Sequence, residues 1–370
     1  MTIAIVANTS WNIYNFRTGI LNSLMAQGHT IVVIAPSDEY TEHLKGLGYI
    51  YYDIALDNKG SSPFRDFIFF KSLLRLYRKI KPDVILHYTI KPNIYGSFAA
   101  GICGIPSINT ISGLGTVFLR DGLSSRLAKY LYRLAFLFSK RVFFQNESDK
   151  ALFIKQNLVH ATNTVVVPGS GIDLSKYSSS EAVQGTEVIF LFVGRLLYHK
   201  GIVEYVEAAK SLRKKNYNWR FQICGAIEPE AKLGVQEHEL NSWIENDSIE
   251  YLGFSNQIKE VIRKATCIVL PSYREGISRT LLESAAMSKP LIASDVPGCK
   301  EIVFNNRNGF TCRPADSADL AEKMEQMGLL SNEQRDKLGK NGRRLMEETF
   351  DERFVIKEYV DTIMNITLKN

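Results

Sequence analysis

The sequence is poor in cysteine and has no long apolar run, and both features restrict what the protein can be. Its five cysteines are odd in number, far apart and without a Cys-x-x-Cys pair. Buried thiols in a reducing cytoplasm explain them better than a disulfide framework or a zinc site. No stretch approaches the roughly 20 apolar residues of a membrane-spanning helix, and the apolar run after Met1 is too short for a signal peptide. These absences predict a cytoplasmic protein without a transmembrane helix.

Motifs typical of dinucleotide-dependent oxidoreductases, of metal sites and of nucleic-acid-binding proteins are also missing. No Gly-x-Gly-x-x-Gly follows the first apolar run, at Val6, which counts against a dinucleotide-dependent oxidoreductase. No Asp-x-Asp occurs at the end of a predicted strand, so we predict no metal at the site, and no cofactor. Basic recognition helices and base-stacking motifs are absent as well, and we predict no nucleic-acid partner.

Apolar runs of strand length alternate with helical patterns through most of the 370 residues. This alternation predicts an α/β protein with parallel sheets and crossover helices, and the length predicts two domains. A Pro-Gly-Ser-Gly break at 168–171 divides the pattern. The predicted division is a first doubly wound domain over 1–168, a linker over 169–186, a second doubly wound domain over 187–350, and a C-terminal helix over 351–370 that can cross back to the first domain.

Strand ends are the places to search for function, because ligands of doubly wound sheets bind at the carboxyl ends of the strands. Two domains whose sheet edges face each other form a cleft, the usual place for a substrate pair. One helix is predicted over 16–27. The predicted strands cover 3–7, 30–35, 84–87, 107–110, 142–145 and 164–167 in the first half, and 188–193, 221–225, 250–252, 267–270 and 291–293 in the second.

The strongest motif follows the predicted strand at 267–270, where a short polar loop leads into a predicted helix near Gly276. Glu275 is expected just outside that helix, where a carboxylate can accept hydrogen bonds from sugar hydroxyls. Glu283 is expected two turns further, roughly 12 Å away. A surface helix whose first-turn glutamate complements the helix dipole is the alternative. The backbone donors predicted to hold a diphosphate belong to Gly276, Ile277, Ser278, Arg279 and Thr280.

A second motif, residues 192–201, opens the predicted second domain. A strand ends at Gly194, and Arg195 and Lys200 follow in the loop before a helix. A guanidinium and an ammonium at a strand end suit a diphosphate, the first through bidentate hydrogen bonds and the second as a point charge. A basic solvated loop is the alternative, which the bracketing by Gly194 and Gly201 disfavours.

These motifs, together with residues 167–173, resemble family 4 glycosyltransferases of the GT-B fold. The resemblance spans nearly the whole chain and is strongest from 165 to 310. Residues 87–96 and 112–115 are similar to bacterial enzymes that extend polyprenyl-diphosphate-linked saccharides, including N-acetylhexosaminyl transferases of polysaccharide or glycan assembly. The resemblance implies two Rossmann-like domains that face a central cleft.

The resemblance also implies a metal-independent retaining transferase. It implies a UDP-sugar donor, carrying an N-acetylhexosamine or a hexose, and a polyprenyl-diphosphate-linked saccharide acceptor. The implied catalytic residues are Arg195 and Lys200, which bind the diphosphate beside Gly194, and Glu275, which contacts the donor sugar. Glu283 is implied to hold the ribose.

The first half departs from the family pattern. Many members have a Gly-Gly loop after the first strand, where this chain has the sequence 8–17, which ends at Arg17. A catalytic-site histidine often follows a later strand, near the place of Ser112-Gly113 here. His87 and Lys91 are the substitutes on the acceptor side, and a core histidine is the alternative for His87. The candidate acceptor residues are His87, Lys91, Asn93, Tyr95, Ser112 and Gly113.

The first half is also the basic half. Residues 1–168 carry 18 Lys and Arg against 10 Asp and Glu, a net charge of +8, while the whole chain has +6. Two stretches, 63–81 and 118–141, are basic and apolar at helical spacing, as expected for helices on an anionic membrane. Ordinary crossover helices with one solvated face are the alternative. We predict peripheral attachment to the inner face of the cell membrane.

Other functions remain as alternatives to the transferase. A nucleotide-sugar epimerase or a phosphorylase can have a similar two-domain architecture, although a phosphorylase is normally longer and has a pyridoxal lysine. A catalytically silent nucleotide-sugar scaffold is the last alternative. The presence of Arg195, Lys200, Glu275 and Glu283 disfavours that scaffold.

Overall fold

The chain divides into two compact units. The first contains Met1–Gly171 and Glu352–Asn370, and the second contains Ile172–Asp351. Each unit is a parallel sheet flanked by helices, which confirms the prediction of two doubly wound α/β domains. The computed structural model describes residues 1–57, 62–114, 118, 122–179, 187–215, 217–228, 230–231 and 233–368.

The strands of the first unit form one sheet. They are Thr2–Val6 (β1), Thr30–Ala35 (β2), Ile50–Asp53 (β3), Val84–Tyr88 (β4), Ser107–Ile111 (β5), Arg141–Phe144 (β6) and Thr164–Val166 (β7). Their order is β3-β2-β1-β4-β5-β6-β7 and all neighbours are parallel. The chain therefore winds outward in both directions from β1 and β4, where the strand order reverses.

Helices cover both faces of this sheet. They are Ser10–Phe16 (α1), Thr18–Ala26 (α2), Thr41–Gly46 (α3), Pro63–Ile80 (α4), Ser97–Cys103 (α5), Leu123–Ala135 (α6), Glu147–Lys155 (α7) and the C-terminal helix Glu352–Thr367. Short 3₁₀ turns occur at Phe136–Phe138 and Ala161–Asn163, and a π-helical turn at Pro92–Gly96.

The buried faces of β1 explain its continuous apolar sequence. Ile3 and Ile5 pack in one core cluster with Tyr359 of the C-terminal helix, and Ala4 and Val6 pack in another with side chains of α4. A strand covered on both faces has no solvated side to mark with polar residues. The C-terminal helix thus contributes directly to the core of the first unit.

Two details of the predicted elements in this unit are wrong. The single helix predicted over 16–27 is two helices, because Arg17 leaves helical geometry (φ −127°, ψ −11°) between α1 and α2. The first of them begins earlier because the Thr9 side chain accepts a hydrogen bond from the Asn12 N–H and caps α1. The edge strand β3 was not predicted, since it is short and half-exposed and so has no continuous apolar signal.

The second unit repeats this winding. Its strands are Val188–Val193 (β8), Trp219–Cys224 (β9), Glu250–Tyr251 (β10), Cys267–Leu270 (β11), Leu291–Ser294 (β12) and Gly309–Cys312 (β13). The order is β10-β9-β8-β11-β12-β13, again parallel throughout, and it reverses between β8 and β11. The strand β13 was not predicted, because its Gly and Thr residues dilute the apolar pattern.

The helices of the second unit complete its two covering layers. They are Ile202–Arg213 (α8), Glu237–Glu245 (α9), Ile258–Lys264 (α10), Arg279–Ala286 (α11), Ser317–Leu329 (α12) and Asn332–Leu345 (α13). A 3₁₀ turn at Tyr198–Lys200 precedes α8, and a π-helical turn at Met346–Phe350 follows α13. Every residue of β8 is buried, so the loop that follows it starts from a rigid base.

Candidate functional site

The two motifs of the second unit meet at the point where its strand order reverses. Arg195 and Lys200 follow β8, and Glu275 follows the adjacent strand β11. A crevice opens at such a reversal because the connections on either side leave in opposite directions. Residues 75 positions apart in the sequence are thereby brought into contact.

Lys200 and Glu275 form an ion pair at this edge. Lys200 Nζ donates to Glu275 Oε1 over 2.5 Å, and Ser272 Oγ donates to the same oxygen over 2.7 Å. The two charged side chains are only 19% and 12% exposed. Partial burial weakens solvent screening, so each charge has a strong orienting effect on the other. Sequence reasoning missed Ser272, a serine directly after the Pro at the end of β11.

A glycine holds the two loops together. Gly201 has φ +74°, and a Cβ atom there would lie 2.0 Å from the carbonyl oxygen of Pro271. The backbone adds a hydrogen bond from the Tyr273 N–H to the His199 carbonyl, at 2.9 Å. Because only glycine allows this backbone approach, the loop after β8 is packed directly on the loop after β11.

A third loop, after β12, supports Glu275 from the other side. The Glu275 N–H donates to the Pro297 carbonyl over 3.0 Å. Gly298 has φ +85°, and a Cβ atom there would lie 2.5 Å from the backbone of Glu275. Sequence reasoning missed both residues, although a Pro-Gly pair shortly after a predicted strand is a recognisable turn signal.

The helix α11 begins later than predicted. Its first residue is Arg279, three positions after the predicted start near Gly276, because Ser278 is the N-cap and its Oγ accepts from the Leu281 N–H over 3.4 Å. The Ser278 N–H donates to the Gly298 carbonyl over 3.0 Å, which removes it from the predicted diphosphate donors. Ile277 lies before the helix. Of the predicted donors, only Arg279 and Thr280 therefore belong to the first turn.

The start of α11 is fastened to the end of β8. Thr280 Oγ1 donates to the Val193 carbonyl over 3.3 Å. Gly194 follows immediately, and its N–H donates to the Cys224 carbonyl over 3.1 Å. The first turn of α11, an electropositive end of a helix, therefore lies beside the loop that carries Arg195.

Glu283 lies within α11 and is also paired. Arg279 Nη2 lies 3.0 Å from Glu283 Oε1, one turn apart on the same helix. The negative charge of Glu283, together with burial as the main cause, raises the pKa of the neighbouring Tyr177. Glu275 precedes the helix, so the separation expected from helical rise between the two glutamates does not apply.

Arg195 is the exposed cation of the site. Its side chain is 59% exposed, and Nη1 lies 3.5 Å from Glu228 Oε2.

Two neighbours of the Lys200–Glu275 pair have shifted pKa values. Burial, and then the charge of the adjacent Lys200, lower the pKa of His199, so this imidazole is neutral at neutral pH. Burial first, and then the charge of Glu275, raise the pKa of the Cys299 thiol.

His87 is a core histidine, and its prediction as an acceptor-side residue is wrong. The side chain is fully buried. Its Nδ1 donates to Asn109 Oδ1 over 2.8 Å, so Nε2 accepts from the Tyr77 hydroxyl over 2.9 Å. Burial is the main reason that the pKa of His87 falls to about 3. A Cβ atom on Gly96 would lie 2.4 Å from His87 Nε2, so the two ends of the 87–96 motif pack on each other.

Lys91 and Tyr95 share one carboxylate. Lys91 Nζ donates to Asp66 Oδ1 over 2.6 Å, and the Tyr95 hydroxyl donates to Asp66 Oδ2 over 3.0 Å. Asn93 is buried, and its Nδ2 donates to the Thr110 carbonyl over 2.9 Å. Lys91, just before the π-helical turn, and Tyr95, near its end, are therefore both tied to α4, whereas Asn93 supports the sheet from within.

The remaining acceptor candidates follow β5. Ser112 is exposed, and Gly113 has φ +126°, which favours glycine. Gly115 of the same motif lies outside the described residues. A cavity of about 150 Å³ opens beyond the ends of β1 and β4, the two strands between which the order reverses. Its lining residues are Asn8, Leu56, Thr89, Ile90, Lys91 and Pro92.

Two general features of the described residues bear on the site. They include no group of three or more His, Cys, Asp and Glu side chains arranged to hold a metal ion. In the same part of the chain, no helix has the length and apolar character needed to cross a membrane.

Known protein families match both units. Residues 2–146 match the family described as Glycosyl transferase 4-like, and residues 175–345 match Glycosyl transferases group 1. The two matches cover all of β1 to β6 in the first unit and all of β8 to β13 in the second. Each half of the chain is thus assigned independently to glycosyltransferases.

Bacterial transferases are similar over much or all of the chain. An N,N'-diacetylbacillosaminyl-diphospho-undecaprenol alpha-1,3-N-acetylgalactosaminyltransferase of Campylobacter jejuni is 28% identical over 97% of both chains. A UDP-Gal:alpha-D-GlcNAc-diphosphoundecaprenol alpha-1,3-galactosyltransferase of Escherichia coli is 28% identical over 65% of this chain and 64% of its own.

A solved structure supports the fold. A glycosyltransferase from Rickettsia africae superposes with a TM-score of 0.83 at 19% identity, over 100% of this chain and 99% of its own. This likeness, the two family matches and the two parallel sheets agree with one another. The chain therefore belongs to the glycosyltransferases of the GT-B fold, with a first half of the glycosyl transferase 4-like family and a second half of glycosyl transferases group 1.

Proposed function

We propose that this enzyme transfers an N-acetylhexosamine or a hexose from a UDP-sugar, with retention, to a polyprenyl-diphosphate-linked saccharide in surface polysaccharide or glycan assembly. The two relatives support the acceptor class, because both names include a diphosphate-linked undecaprenol. The name of the galactosyltransferase also supports a UDP-linked donor. The nucleotide-sugar epimerase alternative has no support among these relatives, which are transferases.

The pairing of Lys200 with Glu275 at the strand reversal is the observation that carries the proposal. A nucleotide sugar has an anionic diphosphate next to a neutral ring rich in hydroxyl donors. A cation and an acceptor-only carboxylate 2.5 Å apart match the junction between these two groups. Lys200 would contact the phosphate and Glu275 the sugar, while the exposed Arg195 closes on the diphosphate.

The chemistry required of these residues is charge stabilisation. The bond between the anomeric carbon and the diphosphate oxygen breaks, and negative charge develops on the leaving diphosphate. Arg195, Lys200 and the electropositive end of α11 oppose that charge as preorganised groups. The acceptor hydroxyl attacks from the same face and passes its proton to a donor phosphate oxygen. This front-face route gives retention and requires no protein nucleophile.

Glu283 is assigned to the ribose of the donor. It lies on the same helix whose first turn faces the diphosphate, and Arg279 holds its carboxylate in position at 3.0 Å. A carboxylate accepts hydrogen bonds from two neighbouring hydroxyls, which suits the ribose diol. This contact does not change during the reaction, so it contributes to binding rather than to the chemical step.

The first unit is proposed to lie on an anionic membrane at the inner face of the cell membrane. On α4, Phe64, Phe67 and Ile68 are 73%, 50% and 44% exposed, and on α6 Leu123 and Leu127 are 83% and 58% exposed. Basic residues alternate with them on both helices. Arg120, which belongs to the same basic stretch, lies outside the described residues. Exposed apolar side chains among cations are typical of interfacial helices.

Vesicle sedimentation tests this surface. Binding to vesicles with anionic lipid should be strong at low salt and weaken as salt rises, because exposed charges are screened within about 10 Å at 0.1 M. Phe64→Ser with Phe67→Ser should weaken binding. Phe254→Ser is the matched control, since Phe254 is 68% exposed but lies in the second unit. Absence of binding at low salt would mean that α4 and α6 are ordinary crossover helices.

A donor and acceptor screen tests the function as a whole. Radiolabelled UDP-N-acetylhexosamines and UDP-hexoses are incubated with short-chain polyprenyl-diphosphate saccharides. We expect transfer of one sugar, with the anomeric configuration of the donor preserved in the NMR spectrum of the product. Conversion of the nucleotide sugar into its epimer without transfer would contradict the proposal.

A further inference from the structure

Arg17 is a buried arginine that the assigned site does not use. It lies between α1 and α2 and is 3% exposed. Its Nε and Nη1 atoms are buried and have no hydrogen-bond partner among the described residues. Buried charges are normally paired, because removing an ion from water without compensation is costly. An arginine of this kind therefore indicates a missing anion.

One face of the guanidinium lies on an aromatic ring. Its central carbon lies 4.1 Å from the ring centroid of Tyr88, a cation–π contact. Burial raises the pKa of the Tyr88 and Tyr359 hydroxyls, and in both cases the Arg17 charge counteracts this effect. Tyr359 is itself engaged with Thr110 through a 2.6 Å hydrogen bond. The aromatic face orients the cation but does not neutralise it.

Arg17 lies at the functional edge of the first sheet. Tyr88 is the last residue of β4, and the following Thr89 lines the cavity at the reversal between β1 and β4. Thr89 has φ +72°, unusual for a β-branched residue, and its buried hydroxyl has no hydrogen-bond partner in the described chain. Among the described residues, two nitrogens of a guanidinium that stacks on Tyr88 and the hydroxyl of the next residue, Thr89, thus lack hydrogen-bond partners.

A carboxylate of the chain already lies over the start of α2. A Cβ atom on Gly19 would be 2.8 Å from Glu352 Oε2. A carboxylate at this position disfavours a second anion on the backbone of the helix start, so the guanidinium is the anion-binding group.

We propose that Arg17 binds a phosphate group of a diphosphate ligand at the β1–β4 edge of the first unit. The planar guanidinium keeps its charge, and its Nε and Nη1 groups are charge-assisted donors that suit phosphate oxygens. The identity of the ligand, a sugar donor or a lipid-linked acceptor, rests on the proposed function. The binding of a diphosphate at Arg17 is independent of that function.

Pyrophosphate is the probe that separates this inference from the activity. Isothermal titration calorimetry is carried out on the wild type, Arg17→Met and Arg17→Lys. We expect Arg17→Met to lose at least about tenfold in pyrophosphate affinity, or one bound pyrophosphate per chain, because charge-assisted hydrogen bonds are removed. Arg17→Lys should be intermediate. Unchanged affinity and stoichiometry in Arg17→Met would overturn the proposal.

Thermal stability distinguishes a ligand-binding arginine from a structural one. Arg335 is the matched control, since it is 9% exposed and its guanidinium donates to the Met327 and Gly328 carbonyls and to Asn332. Arg335→Met should lower the Tm by several degrees. Arg17→Met should keep or raise the Tm without ligand, because it removes an uncompensated buried charge. A Tm loss as large as that of Arg335→Met, with pyrophosphate binding intact, would make Arg17 structural.

Steady-state kinetics then identifies the source of the diphosphate. If Arg17 binds the donor, Arg17→Met should raise the KM for the UDP-sugar and leave that for the lipid-linked acceptor unchanged. If it binds the acceptor, the opposite holds. Wild-type values of kcat and both KM would overturn the proposal. If no sugar is transferred by the wild type while pyrophosphate binding still depends on Arg17, the proposed function fails and this inference stands.

Discussion

The two sheets have the same winding, but the units differ in how charged side chains are paired near the strands between which the order reverses. In the second unit, Lys200 is paired with Glu275 and Arg279 with Glu283 before any ligand arrives. In the first unit, Arg17 is buried, and two of its nitrogens have no hydrogen-bond partner among the residues that the structure describes. Paired charges keep an empty site stable and oriented, whereas an unpartnered cation leaves stability to be gained from a ligand. The same topology therefore supports a preorganised site in one unit and a ligand-dependent one in the other.

We expect the largest effect from a substitution that removes the Lys200–Glu275 ion pair of the second unit. Lys200→Ala should lower kcat/KM by about 100- to 1000-fold, as removal of one transition-state charge stabiliser does in other enzymes. It also leaves Glu275, 12% exposed, without its cation. The control is Lys210→Ala, because Lys210 forms an exposed pair with Glu207 on α8. Normal kinetics in Lys200→Ala or in Arg195→Ala would remove the diphosphate role from this edge.

The two glutamates sharpen the comparison within the paired edge. Glu275→Gln should lower kcat by about 10- to 100-fold, because its contact with the sugar strengthens as the glycosidic bond breaks. Glu283→Gln should mainly raise the KM for the donor, since the ribose is held equally in ground and transition states. Michaelis–Menten kinetics with varied donor separates the two effects. A wild-type kcat with only a raised KM in Glu275→Gln would reverse the division of roles.

A pair of glycines tests how tightly the edge of the second unit is built. Gly201 and Gly253 have nearly the same φ, +74° and +73°. A Cβ atom on Gly201 would lie 2.0 Å from the Pro271 carbonyl oxygen, whereas one on Gly253 would meet nothing within 4 Å. Gly253→Ala should cost about 1 kcal/mol in the free energy of unfolding from backbone strain alone. Gly201→Ala should cost about 1–3 kcal/mol more. Equal losses in urea unfolding would mean that the two loops are not tightly packed.

The last prediction concerns the core of the first unit. The pKa of His87 is about 3 in the folded chain, below the ordinary value of 6.5, because of burial. The unfolded chain therefore binds more protons between these values, so stability is complete above pH 6.5 and falls as the pH drops toward 3. The slope contributed by His87 approaches about 1.4 kcal/mol per pH unit. His87→Gln should remove this contribution from urea midpoints measured between pH 7 and 4.5, and an unchanged slope would contradict it.

Sequence patterns predicted the structure well where a residue type occurs for a single physical reason. The largely buried strands β1, β2, β8 and β11 were predicted closely, because strands covered on both faces are continuously apolar. The edge strand β3 was missed because it is half-exposed, and β13 was missed because its sequence mixes polar and small residues. Cations and glycines at 194–201 were recognisable for a similar reason, since both are needed where backbone meets a diphosphate.

Polar residues near the ends of strands and helices were harder to interpret. The sequence contexts of His87 and Arg17 do not distinguish a core role from a ligand role. His87 is satisfied by Tyr77 and Asn109, residues 10 and 22 positions away. Arg17 has no such partners for Nε and Nη1 among the described residues. The difference is in the packing of distant side chains, which no local pattern reports.

The sequence by itself determined the two α/β domains, the family and the positions of Arg195, Lys200, Glu275 and Glu283, because apolar periodicity and short motifs are local properties of the chain. Only the tertiary structure decided that Lys200 is bonded to Glu275, that α11 starts at Arg279 and that His87 belongs to the core. It also decided that Arg17 Nε and Nη1 have no hydrogen-bond partner within the described chain. Each of these depends on residues brought together from separate strands, and their distances and burial are set by the fold as a whole.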